Sequence, residues 1–159
     1  MLIYFLRHGE AVTTGDDWSR TLTTEGANRI RAEAAVLKAL DVRPDAIFTS
    51  PLPRAVQTAE IVAEILSPDR SVQTREELAP GASLGDLQHV LSGLEGDGSV
   101  LVVGHEPDLS SIVAALIASG SARIELKKGG LALVESDVPV GPGSGKLRWL
   151  VEPALLLTT

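Results

Sequence analysis

The chain has no cysteine. That excludes disulfides, a cysteine nucleophile and thiolate-bound metal, and it fits a reducing cytoplasm. Aromatic residues are scarce: two Trp, two Phe and one Tyr in 159 residues. So few leave little scope for the stacking platforms that hold single-stranded nucleic acid. No stretch approaches the roughly 20 consecutive apolar residues of a membrane span. The start shows no basic region followed by a long apolar core, so no secretory leader is expected. Cations are outnumbered: 14 Lys and Arg face 21 Asp and Glu, a formal net charge of −7. Such a surface repels nucleic acid and anionic lipid, and neither is an expected partner. With only three histidines present, where they fall carries information.

What is there suits one domain with a real core, spanning residues 1–159, at 44% apolar composition. Residues 2–6 are almost wholly apolar, as in a strand buried on both faces. A polar, turn-rich loop follows over 11–22. Thr23 then suits an N-cap for an amphipathic helix over 24–40, with Ala27, Ile30, Ala34 and Leu37 on one face and Arg29, Arg31, Glu33 and Lys38 mostly off it. A second strand is expected over 45–49, with Ser50 as the cap of a helix over 55–66 that Pro68 ends. Further expectations are a brief strand at 72–74, a helix over 84–94, a buried strand over 99–103 and a helix over 107–118 closed by Gly120. The tail reads as strands at 123–126, 131–135 and 146–151 joined by turns at Gly129-Gly130 and 139–145, an antiparallel edge on a mainly parallel sheet.

Three times a buried strand runs straight into a polar cluster: Arg7-His8-Gly9-Glu10, Ser50 to Arg54, and Gly104-His105-Glu106. Parallel strands bring all three to one sheet edge, where α/β proteins bind ligands. Two of the following helices point their N-termini there, which favours anions. Arg7 and Arg54 add forked donors suited to phosphate oxygens. Two arginines and two of the three histidines in a chain of net −7 describe a phosphate site with local charge inversion. An unprotonated imidazole is a competent nucleophile toward phosphorus, and a second, protonated one stabilises the transferring group. The arginines supply the charge compensation a metal would, so no cofactor is expected.

The motifs Arg7-His8-Gly9, Ser50-Pro51-Leu52-x-Arg54-Ala55-x-Gln57-Thr58-Ala59 and Gly104-His105-Glu106-Pro107 resemble the histidine phosphatase superfamily, the clan of phosphoglycerate mutases and acid phosphatases. The short length and Arg20-Thr21-Leu22-Thr23-x-x-Gly26 look most like its SixA-type phosphohistidine phosphatases. The resemblance implies a three-layer α/β/α sandwich, mostly parallel and phosphoglycerate mutase-like. It implies His8 as nucleophile, with Arg7, Arg54 and His105 binding the phosphoryl group. Glu77 is the first candidate for general acid and Glu106 the alternative. The long insertions that cap the site in mutases and large acid phosphatases are missing. The expected substrate is therefore phosphohistidine on a protein, with small phosphoesters as the alternative and a non-catalytic phosphate-binding module as the competitor from another class. A monomer is expected for want of an interface stripe. Structural roles are assigned elsewhere: Ser50 as a cap, Gln57 and Thr58 at the pocket rim, His89 at the surface, Asp16 and Asp17 as loop solvation, Trp149 in packing.

Overall fold

The computed structural model describes residues 1–67, 71–119 and 121–158. Six strands form one sheet in the order β3-β2-β4-β1-β5-β6. They are β1 (Leu2–Arg7), β2 (Ala46–Thr49), β3 (Val72–Thr74), β4 (Ser99–Gly104), β5 (Leu131–Ser136) and β6 (Gly145–Val151). The first four run parallel, β5 is antiparallel to β1, and β6 is antiparallel to β5. The helices are α1 (Thr24–Ala39), α2 (Pro53–Leu66), α3 (Leu84–Leu91), α4 (Asp108–Ala118) and the short α5 (Pro153–Leu156). This is a mixed α/β fold with a mostly parallel sheet and an antiparallel edge.

Strand periodicity sorts the core into two layers. On β1, Ile3 and Phe5 face one side with Val100, Val102, Ala132 and Val134, under Leu87 and Val90 of α3 and Leu109, Ile112 and Leu116 of α4. Tyr4 and Leu6 face the other side with Leu101 and Val103, under Ile30 and Leu37 of α1 and Ala59 and Val62 of α2. Phe5 is fully buried, and truncating such a residue to Ala costs about 3–5 kcal/mol. β1 therefore leads to a helix on one face and its neighbour β4 to a helix on the other. That reversal opens a crevice at the carboxyl ends of β1 and β4, where Arg7 lies in register with Gly104.

Several expectations need correction. Ser50 does not cap α2: the N-cap is Leu52, without a side-chain bond, and Pro53 opens the helix. Pro53 has no N–H to leave orphaned, so the hydroxyl is free for other work. The helix expected to reach residue 94 ends at Leu91, because Gly93 adopts φ +85°, a conformation glycine takes without steric cost. Residues 123–126 form no strand. Both sides of β5 are already taken by β1 and β6, and Leu126 bonds to side chains instead. Glu33, placed mostly off the apolar face, is only 2% exposed, with its carboxyl beneath the Gly129 turn. Thr23 caps α1 as expected, accepting from the Gly26 N–H at 2.9 Å. Gly26 cannot carry a side chain, since a Cβ there would lie 2.2 Å from the Glu10 carbonyl oxygen. The helix endings assigned to Pro68 and Gly120 lie outside the described residues. No described helix is long and apolar enough to cross a membrane.

Candidate active site

His8 follows the last residue of β1, and its backbone N–H donates to Gly104 O at 3.1 Å, extending the β1–β4 ladder into the site. Its ring Nδ1 lies 2.7 Å from Gly9 O. A carbonyl only accepts, so Nδ1 carries the proton and Nε2 presents its lone pair. Arg54 donates from Nε to that Nε2 at 3.2 Å. Gly9 is fixed in turn: its N–H donates to Thr58 Oγ1 at 3.1 Å, and the Thr58 hydroxyl donates to Arg54 O at 2.7 Å. Thr58 thus couples the β1 corner to the first turns of α2, and Gln57 accepts from the Leu22 N–H at 2.8 Å.

His105 follows β4, its ring centroid 5.2 Å from that of His8. Its Nε2 meets Ser50 Oγ at 2.7 Å. Ser50 Oγ also accepts from the Leu52 N–H at 3.3 Å. Ser50 Oγ keeps a second lone pair, so its contact with Nε2 suits either His105 tautomer; where the hydroxyl donates to Nε2, the ring proton sits on Nδ1, which is buried and without a partner among the described residues. An unpaired buried N–H is costly unless a ligand meets it. Burial pulls His105 down to about 3, helped by the charges of His8 and Arg54, and pulls His8 down to about 4, against the Gly9 bond that raises it. Both rings are therefore neutral at pH 7. Burial thus works against the charge that a protonated second histidine would carry.

Arg7 donates from Nη1 to Leu126 O at 2.9 Å, while its buried Nε has no partner among the described residues. Leu126 N–H in turn donates to Glu106 Oε2 at 3.4 Å, so the 123–126 segment is a brace between the β1 and β4 corners. Lys128 comes from the adjoining turn, where Gly129 N–H donates toward Arg7 O at 3.1 Å and His8 O at 3.2 Å. Arg7, His8, Arg54, His105 and Glu106 line one cavity of about 340 Å³ with Asp17, Arg20 and Lys128. Four cations there face two carboxylates, which inverts the chain's overall sign.

The two candidate acids part company. Glu106 lines this cavity, but its carboxylate accepts from Ser110 N–H at 3.0 Å, from the Ser110 hydroxyl and from Leu126. Glu77 lies outside the lining, 3.6 Å from the exposed His89. Asp17, read as solvated loop, instead holds Arg54: Nη1 donates to its carbonyl at 2.6 Å and Nη2 to its Oδ2 at 3.4 Å. Arg20 also bonds the Asp17 carboxylate, and this bond, ahead of the nearby Arg54 charge, holds that carboxyl below its usual range. Asp17 and Lys128 carry no motif. Their only sequence signals are a loop following the first strand and a cation beside a double glycine.

An α/β sheet whose carboxyl edge joins two neutral imidazoles to forked cations, Arg54 among them buried, defines a phosphoryl-transfer enzyme. The family model of the histidine phosphatase superfamily (branch 1) matches residues 3–92, and the chain belongs to that superfamily and is a phosphatase. It is 33% identical over 159 residues to the phosphohistidine phosphatase SixA of Escherichia coli, covering 98% of this chain and 96% of that protein. The structure of the protein histidine phosphatase SixA complexed with tungstate superposes with a TM-score of 0.88 at 33% identity, covering 98% of this chain and 99% of that one. An uncharacterized protein of Picosynechococcus is 41% identical over 167 residues, covering 100% of this chain and 96% of that protein.

Proposed function

We propose that the enzyme works in two steps through a phosphohistidine at His8, and that its substrate is phosphohistidine on a protein. The observation that carries the first part is the fixed tautomer of His8: a neutral ring, its Nδ1 proton held by Gly9 O, with the Nε2 lone pair facing Arg54 in a cationic cavity. In the first step the Nε2 pair forms a bond to phosphorus, and the bond from phosphorus to the leaving group breaks with its electrons. In the second, water attacks phosphorus, the bond to His8 Nε2 breaks, and the water's proton leaves to solvent or to the product phosphate. Arg7 and Arg54 neutralise the equatorial oxygens, and the Nδ1–H of His105 donates to one of them.

The leaving group favours a nitrogen-linked substrate. A phosphate ester expels an alkoxide and needs a positioned acid, whereas a phosphoimidazole protonated on its other nitrogen leaves as neutral imidazole. Glu106 is engaged by Ser110 and Leu126, and Glu77 is outside the cavity. Neither is needed for such a substrate; for esters Glu106, in the cavity wall, is the better placed. The 33% identity to a phosphohistidine phosphatase supports the same choice. The test compares kcat/KM for a phosphohistidine protein or peptide with a panel of small phosphoesters. The proposal expects the peptide to be favoured strongly; faster turnover of a metabolite would move the function to small phosphoesters.

A further inference from the structure

All three nitrogens of the Arg54 guanidinium have partners within the protein. It is 4% exposed, with Nε on His8, Nη1 on the Asp17 carbonyl and Nη2 on the Asp17 carboxylate. A phosphoryl group therefore finds the site's central forked donor already occupied by an anion of the protein itself. That anion sits on the short turn Asp17–Ser19, at the far side of a loop pinned at its base by the Ala11–Leu22 bridge and by Val12 N–H to Thr21 O at 2.9 Å. The Asp17 side chain is 55% exposed, with solvent open to it, and its 3.4 Å contact to Nη2 is the long one of the pair. The 2.6 Å bond to Nη1 belongs to the backbone and survives any change of side chain.

We propose that the Asp17 carboxylate is a built-in placeholder for the substrate phosphate: it holds Arg54 Nη2 and Arg20 in the empty enzyme and is displaced by the phosphoryl group, so that it sets phosphate affinity from within. This rests on the proposed binding of the phosphoryl group between Arg54 and His8. The placeholder keeps buried and half-buried cations compensated between turnovers, and by competing with the product it hastens phosphate release. Displacement frees the side chain next to Trp18, a residue 57% exposed and therefore a reporter that tolerates substitution.

The experiment is a calorimetric titration of inorganic phosphate into wild-type, Asp17→Asn and Asp17→Glu proteins, with Trp18 emission followed in parallel. Removing the charge is expected to tighten phosphate binding on the order of tenfold, about 1.4 kcal/mol, while Asp17→Glu stays near wild type. KM and the product-inhibition constant fall together in Asp17→Asn, and kcat does not rise in proportion. Phosphate changes the emission of the wild type, and the change is missing in Trp18→Phe. A merely structural Asp17 gives the opposite sign, weaker binding in Asp17→Asn, and that result overturns the proposal. Equal binding in wild type and Asp17→Asn overturns it too while leaving the phosphatase site intact. Absence of phosphate binding in all three proteins overturns both the placeholder and the site on which it rests.

Discussion

Arg54 Nε points at His8 Nε2 across 3.2 Å, so a cation rests against the lone pair that the proposed chemistry uses. The contact has two consequences. It adds to burial, the larger cause, in keeping His8 unprotonated, since a guanidinium beside the ring disfavours a second positive charge. It also puts the donor where phosphate oxygens arrive once phosphorus approaches the ring, so one N–H passes from nitrogen to oxygen without the side chain having to travel far.

Arg54→Lys is the sharpest test of that geometry. A lysine supplies a point charge but neither the fork nor the Nε contact. Turnover is expected to fall about 10²- to 10³-fold, comparable to loss of an oxyanion donor. Circular dichroism and thermal melting check that the variant is folded, and steady-state kinetics read the loss.

Ser50→Ala tests the His105 tautomer. In the tautomer the proposed mechanism uses, the hydroxyl donates to Nε2 and the proton sits on Nδ1; removing the hydroxyl removes that preference. A kcat drop of about tenfold is expected with KM changing less, as for an interaction that grows in the transition state. Nitrogen-15 NMR of the ring reads the tautomer directly: Nδ1–H in the wild type, mixed protonation in the variant.

Acid and alkali are expected to act through different groups. His8 at about 4 and His105 at about 3 lie below the 6.5 of a free imidazole. Between those limits the unfolded chain binds protons that the folded one refuses, so stability is lost as pH falls below 6.5, by up to about 1.4 kcal/mol per unit for each ring. Glu33 has the opposite sign. Burial lifts it from 4.5 to about 8, against a weaker pull from Arg29, and neither oxygen has a partner among the described residues. The unfolded chain ionises first, so stability is lost as pH rises from 4.5 toward 8. Glu33→Gln should match the wild type near pH 4.5 and exceed it by a few kcal/mol, on the order of two to four, at pH 8. Urea unfolding across that range checks both slopes.

The two candidate acids separate by readout. Glu77→Gln is expected to leave turnover of p-nitrophenyl phosphate within about twofold of wild type, as for a surface change. Glu106→Gln loosens the Leu126 brace that anchors Arg7, so it raises KM and lowers melting temperature together. An effect of Glu106→Gln on oxygen-linked but not nitrogen-linked substrates would assign it proton donation as well.

Much of this was legible in the sequence because local patterns dictated it. The apolar run before Arg7, the proline-opened helix after Ser50 and the buried strand before His105 each fixed an element and the residue at its end. What was not legible depended on long-range pairing. Residues 123–126 have a strand's composition, yet they brace Arg7 because β6 had already taken the free side of β5. Asp17 looks like any loop acid until α2 brings Arg54 beneath it. Glu33 was placed mostly off the apolar face because helical spacing says which residues share a face, not which faces a distant turn will cover.

The central claim is the covalent step at His8. Incubating the enzyme with a radiolabelled phosphohistidine peptide, quenching rapidly in alkali and mapping the label by peptide mass spectrometry tests it most directly. The account predicts a base-stable, acid-labile phosphoryl group on His8, absent from His8→Ala, which also loses turnover. Label on another residue, or a His8→Ala protein that turns over at the wild-type rate, would contradict it.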